Sequence, residues 1–472
     1  MTGPGPCGNS GADFTAAGRR HGGRSDLHPE RLGPGLVVIL EQTLRQRGAA
    51  MAAGRIFIQN DWARALWENE REAWVSCKIP EAATLYGCIK CQGLGKDGIP
   101  VITASEGFEV IEVTKKSILI SCPDGNAASK FLMPYAVFSR IHTKSITSMD
   151  ISSGGGLGVS CSTDGTMRVW QANNGELRRE LIGHVYDVNT CRLFPSGIVV
   201  LSGGMDARLK IWSVEDGNCS VTLSGHKGGI LDTAIVERGR NIISSSRDGT
   251  ARLWDCGMST CLAVLADCGT PINGCSVGFA ENTLNLGSPD HQPSEREIGT
   301  EGKLLLLARE DRKLQSIGLL SRKPIFMFEG SDAFNCCTFF SSTYILAGTH
   351  DGNIYQLDVR NTKTPIQIIH RSGAPVLSLF PCREGFMASH SDGSCYVIQQ
   401  DQDYVIEFTG PDCDPIYKVK KQDILQGFFK MISQTCDLYH LKGKGKKVHG
   451  ELSPSSSPSS AWIVSLQLLS IS

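Results

Sequence analysis

The chain has 472 residues, 41% hydrophobic and 20% charged, a balance suited to one large repeat domain with flanking segments. Its 47 Lys+Arg offset 48 Asp+Glu, so no global positive field directs it to nucleic acid or to anionic lipid. Eighteen cysteines follow no framework spacing, no signal-peptide pattern opens the chain, and no apolar run reaches the roughly 18 residues of a spanning helix. The expectation is reduced thiols in the cytoplasm, with the nucleus as a second location, and no membrane partner.

Residues 1–50 are rich in Gly, Arg, Pro and Ala, with only Leu36-Val37-Val38-Ile39-Leu40 as an apolar run, and read as disordered. Met51-Ala52-Ala53-Gly54 reads as a start, which makes the preceding stretch an upstream extension. Residues 51–128, with Asp61-Trp62 through Trp74, read as a small α+β cap. Within it Cys88-Ile89-Lys90-Cys91 is a lone CxxC without a second pair at zinc-site spacing, so neither a metal nor a cofactor is expected. Strand-like pieces follow at Glu109–Val113, Ser117–Cys122 and Lys130–Phe138.

A repeat then begins. STDGTMRVW (Ser162–Trp170), GMDARLKIW (Gly204–Trp212) and SRDGTARLW (Ser246–Trp254) hold their Trp, Asp and upstream His 42 residues apart. Weaker copies follow at Asp311, Asp351 and Asp392, spaced 40 and 41 residues apart. ENTLNLGSPDHQPSEREIGTEG accounts for the longer step from Asp248 to Asp311 and reads as a long surface loop. Each copy has four short strands, such as ILDTAIV, NIISSS, TARLWD and CLAVL, with Asp-Gly or polar turns between them.

Four-stranded units of this length, with Gly-His near the start and Trp-Asp near the end, resemble the WD40 family of β-propellers over about Ile141 to Val419. The expected fold is all-β: a WD40 β-propeller with six visible blades and a degraded seventh, a small N-terminal α+β cap and disordered ends. The propeller is expected over 129–440, with its seventh blade incomplete after 419, where Thr435-Cys436-Asp437 is a poor turn match. A propeller removes its open edges by pairing an N-terminal strand with its last blade, and residues 130–138 are the candidate. Residues 441–472 carry KGKGKK, SPSSSPSS and an apolar end too short to span a bilayer, and read as a low-complexity tail from an alternative terminal exon.

A serine, a histidine and an aspartate near each Trp invite a hydrolase reading. The set occurs three times in one register: His142, Ser160, Asp164, Trp170; His184, Ser202, Asp206, Trp212; His226, Ser244, Asp248, Trp254. An enzyme needs one nucleophile, whereas a device needed once per repeat is a scaffold element. The WD40 resemblance implies that each set is a hydrogen-bonded tetrad locking its blade. In the weaker copies Ile317, Leu357 and Ile398 stand where Trp would, keeping the packing without the indole N–H.

Longer phrases carry a narrower resemblance. GHKGGILDTAIVERGRNIISSSRDGTARLWDCG, SEREIGTEGKLLLLARED, SDAFNCCTFF and THDGNIYQLDVR are similar to the proteasomal ATPase-associated factor family, from Met51 to about Val419. That resemblance implies a non-enzymatic WD40 protein, a monomer outside its complex, that binds AAA ATPase subunits of the proteasome's 19S regulatory particle. It further implies a role in chaperoning base assembly and restraining association with the 20S core. In a propeller the Gly-His loop and the Asp turn open on one face, where Lys144, Tyr186, Lys227, Arg247, Asp332, Phe334 and His350 stand beside the tetrads as candidate partner contacts. The alternative is a generic WD40 adaptor such as a ubiquitin-ligase substrate receptor, but residues 51–140 hold no recognisable ligase-docking element. Nucleic-acid binding would need a basic stripe interleaved with aromatics, and these face residues are mixed in charge.

Overall fold

Every repeat folds into a four-stranded antiparallel sheet, and the sheets lie side by side as blades. The computed structural model describes residues 54–443 other than 68–70, 96–97, 140, 291, 383–384, 400–401, 412, 424–427 and 434–437, together with 466–467, and side chains up to residue 420. The extension 1–50 and the Ser/Pro tract of the tail, both expected to be disordered, lie outside the described residues, whereas the basic tract opens with Lys442 and Gly443 at the end of a strand.

The innermost strands of blades one to seven are Ile146–Ile151, Val188–Leu193, Ile230–Val236, Ile272–Phe279, Phe334–Phe339, Val376–Cys382 and Ile416–Asp423. Second strands are covered by a blade on either side and are apolar or small through their middles: Asn241–Ser246 and Lys303–Arg309 are buried at every position, their terminal Asn241, Lys303 and Arg309 included. Outer strands face solvent, and in Leu177–Ile182 only Leu181 is buried. The tryptophans fill the wedges between blades. Trp212 packs on Val159, Val169 and Leu181 of blade one, and Trp254 on Leu201, Leu209 and Leu223 of blade two. Gly158 admits the Trp170 ring, since a Cβ there would come within 2.2 Å of it.

A second recurring device links neighbouring blades. The second residue of each innermost strand sits in a β-bulge, seen at Thr147, Asn189, Leu231, Asn273, Asn335, Leu377 and Tyr417. An extra residue there escapes the ladder, and where it is polar its side chain reaches the next blade. Asn189 Nδ2 donates to the Ile230 carbonyl (2.7 Å), Asn273 to Phe334 (3.0 Å) and Asn335 to Val376 (3.1 Å). Thr147 Oγ1 donates likewise to Val188.

The ring is closed: each innermost strand packs on the next, and that of blade seven packs on both blade six and blade one. Lys420 and Asp150 form an ion pair across this seam (3.1 Å), while Asp150 also accepts the Leu193 N–H of blade two (2.9 Å). Burial pushes the Lys420 ammonium below its usual range, and Asp150 opposes that fall.

Two expectations are corrected here. The seventh blade does not stop after 419: its sheet continues through Phe428–Ser433 and Leu438–Gly443. Nor do residues 130–138 form one closing strand. Ala136–Phe138 pairs antiparallel with Leu438–His440 as the fourth strand of blade seven. Ala127–Leu132 instead runs parallel to Val405–Phe408, outside blade six. The break between them, Met133-Pro134-Tyr135, carries a proline that cannot donate to a ladder.

The cap comprises β1 (Arg55–Ile58), α1 (Trp62–Trp67), β2 (Glu72–Lys78), β3 (Leu85–Leu94) and β4 (Pro100–Ala104), with β1 to β4 as one antiparallel sheet. Then β5 (Glu109–Val113), β6 (Ser117–Cys122) and β7 (Ala127–Leu132) extend blade six to seven strands, so the expected border at 128 falls inside β7. The helix buries Trp62, Ala63, Ala65 and Leu66, and Trp62 Nε1 donates to Thr409 Oγ1 (3.2 Å). Asn60 both donates to and accepts from the Gly410 backbone (3.0 and 2.8 Å), which pins the cap to the end of blade six.

Candidate partner-binding face

The three sets of His, Ser, Asp and Trp meet within single blades. In blade three the Trp254 indole N–H donates to Ser244 Oγ (2.8 Å), and the Ser244 hydroxyl donates to His226 Nε2 (2.7 Å). His226 Nδ1–H then donates to Asp248 Oδ2 (2.8 Å), an order that requires a neutral imidazole protonated on Nδ1. Blade two repeats this with Trp212–Ser202 at 2.9 Å, Ser202–His184 at 2.7 Å and His184–Asp206 at 2.9 Å. In blade one Trp170–Ser160 is 3.1 Å and Ser160–His142 is 2.8 Å, but His142 Nδ1 stands 3.6 Å from Asp164. Thr166 Oγ1 fills that gap, 2.6 Å from Asp164 Oδ1 and 3.4 Å from His142 Nδ1.

The connectivity is that of a hydrolase triad, but the setting differs. Ser244 is 0% exposed, its lone pair accepts the indole N–H, and no substrate carbonyl can reach it. Burial lowers the His142 pKa to about 4 and also lowers that of His226, with the neighbouring carboxylates opposing. For Asp248 burial disfavours the charge, yet hydrogen bonds from Thr250, the Lys227 N–H and His226 outweigh it and hold the carboxyl well below its usual range.

Blades four to six keep the Asp turn and change its partner. Arg309 grips Asp311 through two bonds (2.9 and 2.6 Å), Asn353 Nδ2 donates to Asp351 (2.9 Å), and Ser372 Oγ donates to Asp392 (2.6 Å). Ile317 and Leu357 are fully buried and Ile398 is half-buried. These substitute pairs lack a common register, so sequence spacing does not flag them.

The hydrogen bonds also shape the surface. Lys227 donates its backbone N–H to Asp248 (2.8 Å) and Val185 its own to Asp206 (3.5 Å), which fixes the loops and turns their side chains outward. Lys144, Tyr186, Lys227, Arg247 and His350 are exposed, Tyr186 by 63%. Val185, absent from the expected set, is 71% exposed beside Tyr186. Asp332 is half-buried and caps the Ala333 N–H (2.8 Å). Phe334 is a correction: it is 0% exposed and packs on Phe328 and Tyr355 in the core. It opens an innermost strand, the position held by Val188 and Ile230 in earlier blades, and this alignment identifies it as core.

Antiparallel strands put the first-to-second strand connections at the opposite end of the blades. There the long insertion is held down rather than loose. Ile298 N donates to Asn241 Oδ1 (2.6 Å), Arg296 pairs with Asp255 (3.4 Å), and Glu297, whose side chain is fully buried, pairs with Arg322. Cys88 and Cys91 lie three apart on β3, so the pleat directs them to opposite faces and one metal cannot take both.

The WD domain, G-beta repeat model matches residues 135–171, 175–213 and 217–255, the three units that carry tetrads. Over 367 residues the chain is 71% identical to proteasomal ATPase-associated factor 1 of Gallus gallus and 70% identical to that of Homo sapiens. Each match spans 78% of this chain and 94% of the relative. The probable proteasomal ATPase-associated factor 1 of Dictyostelium discoideum is 37% identical over 382 residues, 76% of this chain and 89% of the relative. Identity of this extent, on a closed ring of WD40 blades, means that the chain belongs to the proteasomal ATPase-associated factor 1 family.

Proposed function

We propose that this chain is a non-catalytic scaffold that binds ATPase subunits of the proteasome's 19S regulatory particle. In this reading it chaperones base assembly and restrains association with the 20S core. It acts as a monomer outside that complex, in the cytoplasm and the nucleus. The observation that carries the reading is 71% identity, across 94% of the relative, to a factor whose name states association with proteasomal ATPases. The tetrads support it from the chemical side, because their Ser, His and Asp groups are consumed in holding blades together. The face beside them supports it further: a rigid rim offering Val185, Tyr186, Lys227 and Arg247 suits a protein partner, since aromatic and Arg anchors dominate interface energetics.

The test is co-purification of the tagged full chain with mass spectrometry of bound proteins. Proteasomal ATPase subunits are the expected result, reduced at least about tenfold by Tyr186→Ala with Arg247→Ala, as two anchor losses would produce. Recovery without any ATPase subunit refutes the function, and undiminished recovery with the double variant refutes the face.

A further inference from the structure

Blade six differs from the tetrad blades in having the cap beside it, and a cleft of about 530 Å³ opens between them. Its lining includes Arg55 and Lys78 of the cap's β1 and β2, Phe57, and the loop His370-Arg371-Ser372-Gly373 that enters blade six. We propose that this cleft binds an acidic segment of a partner protein, with side-chain carboxylates seated against Arg55 and Arg371.

Both guanidiniums are held in place before any ligand arrives. Arg55 lies over the Phe57 ring at 4.7 Å and Arg371 over the Tyr396 ring at 5.4 Å, so little side-chain freedom remains to be lost on binding. Glu407 and the rim carboxylate of Asp392 balance the two arginines, and Lys78 leaves the lining with a net positive charge. The two arginines share one carboxylate, Glu407, which stands 3.6 Å from Arg55 and pairs also with Arg371. The Nε of each arginine is buried without a hydrogen-bond partner, so the exposed remainder of each guanidinium is what faces a ligand. Asp392 at the rim is already engaged by the Ser372 hydroxyl (2.6 Å) and the Ser394 N–H (3.0 Å). Lys78 is exposed at the mouth and makes no ion pair among the described residues.

The shape fits a peptide chain. Phe57 and Pro80 give the cleft an apolar wall, and a Cβ built on Gly373 would meet nothing within 4 Å, so the loop backbone is open to close approach. Bidentate carboxylate recognition is what a fixed Arg fork does well. The loop 370–374 and the Asp392 turn belong to the same end of the blades as the tetrad turns, so the cleft opens on the proposed partner face.

The inference deepens the partner-binding reading, yet its test needs no ATPase subunit. The probe is a fluorescein-labelled peptide of alternating glutamate and alanine, titrated into the full chain by anisotropy, with a lysine–alanine counterpart as control. The glutamate peptide binds and the lysine peptide does not. Lys78→Glu with Gly373→Glu weakens binding about tenfold, as reversing or adding two rim charges should, with an unchanged melting temperature. Lys78→Gln alone weakens it about threefold. Failure of the glutamate peptide to bind, or equal binding by all variants, overturns the proposal. So does inorganic phosphate displacing the peptide at equal concentration, which would assign the cleft to phosphorylated ligands. Failure of the glutamate peptide to bind the unaltered chain while ATPase subunits still co-purify rejects the cleft alone; peptide binding without any ATPase co-purification rejects the function alone.

Discussion

Replacing Ser244 by alanine deletes the node at the centre of the blade-three tetrad. The hydroxyl accepts from Trp254 at 2.8 Å and donates to His226 at 2.7 Å, and the three residues are 0%, 1% and 8% exposed. Alanine therefore strands two buried polar atoms, the indole N–H and His226 Nε2. Each orphaned group costs about 1–3 kcal/mol, so the expected loss is about 3 kcal/mol. In a Trp254→Phe background the indole N–H is already gone and only His226 Nε2 is stranded, so the same substitution costs about half as much. The difference, about 1.5 kcal/mol, is the coupling that a shared network produces. Hydrogen–deuterium exchange suits the measurement, because a repeat protein opens blade by blade and exchange reports each opening separately. Amides of Ile230–Val236 and Asn241–Ser246 should lose protection by these amounts, with blades five and six little changed. Equal costs in the Trp and Phe backgrounds would refute the network reasoning, as would a serine deletion felt uniformly around the ring.

Gly158→Ala would drive a Cβ to 2.2 Å from the fully buried Trp170 ring, and an overpacked core of this kind loses about 1–3 kcal/mol; an unchanged melting temperature would contradict the packing described. Acid should destabilise the protein in two stages. His142 titrates near 4 when folded against about 6.5 when unfolded, so stability is full above 6.5 and falls as pH drops from there toward 4. His226 adds to that stage in the same direction. The depressed carboxyls of Asp164 and Asp248 take over below about 4, where the unfolded chain binds protons and the folded chain resists them. Melting temperature against pH checks this, with His142→Gln flattening part of the first stage; a midpoint constant from pH 6.5 to 4.5 would overturn it.

Much of this was legible in local sequence. A 42-residue register of Trp, Asp and His marks the repeats, because each blade must solve the same packing problem with the same side chains. Strand alternation and Asp-Gly turns mark the four strands of each unit, and Glu109–Val113 and Ser117–Cys122 have the bounds their patterns suggest. The bulged Asn189, Asn273 and Asn335 also recur, at the second position of β-branched or aromatic-led segments, but their role depends on which carbonyl the next blade presents.

What the tertiary structure alone decided is pairing across distance. Ala136–Phe138 completes blade seven by joining a strand about 300 residues later, and Ala127–Leu132, next to it in sequence, joins blade six instead. No local pattern separates those two destinations, since a short apolar segment can pair with any open edge of suitable register. Likewise Arg55 and Arg371, far apart in the chain, meet over Glu407 only because the cap docks on blade six. Sequence determines what each segment can become; closure of the ring determines which edges remain for it to meet.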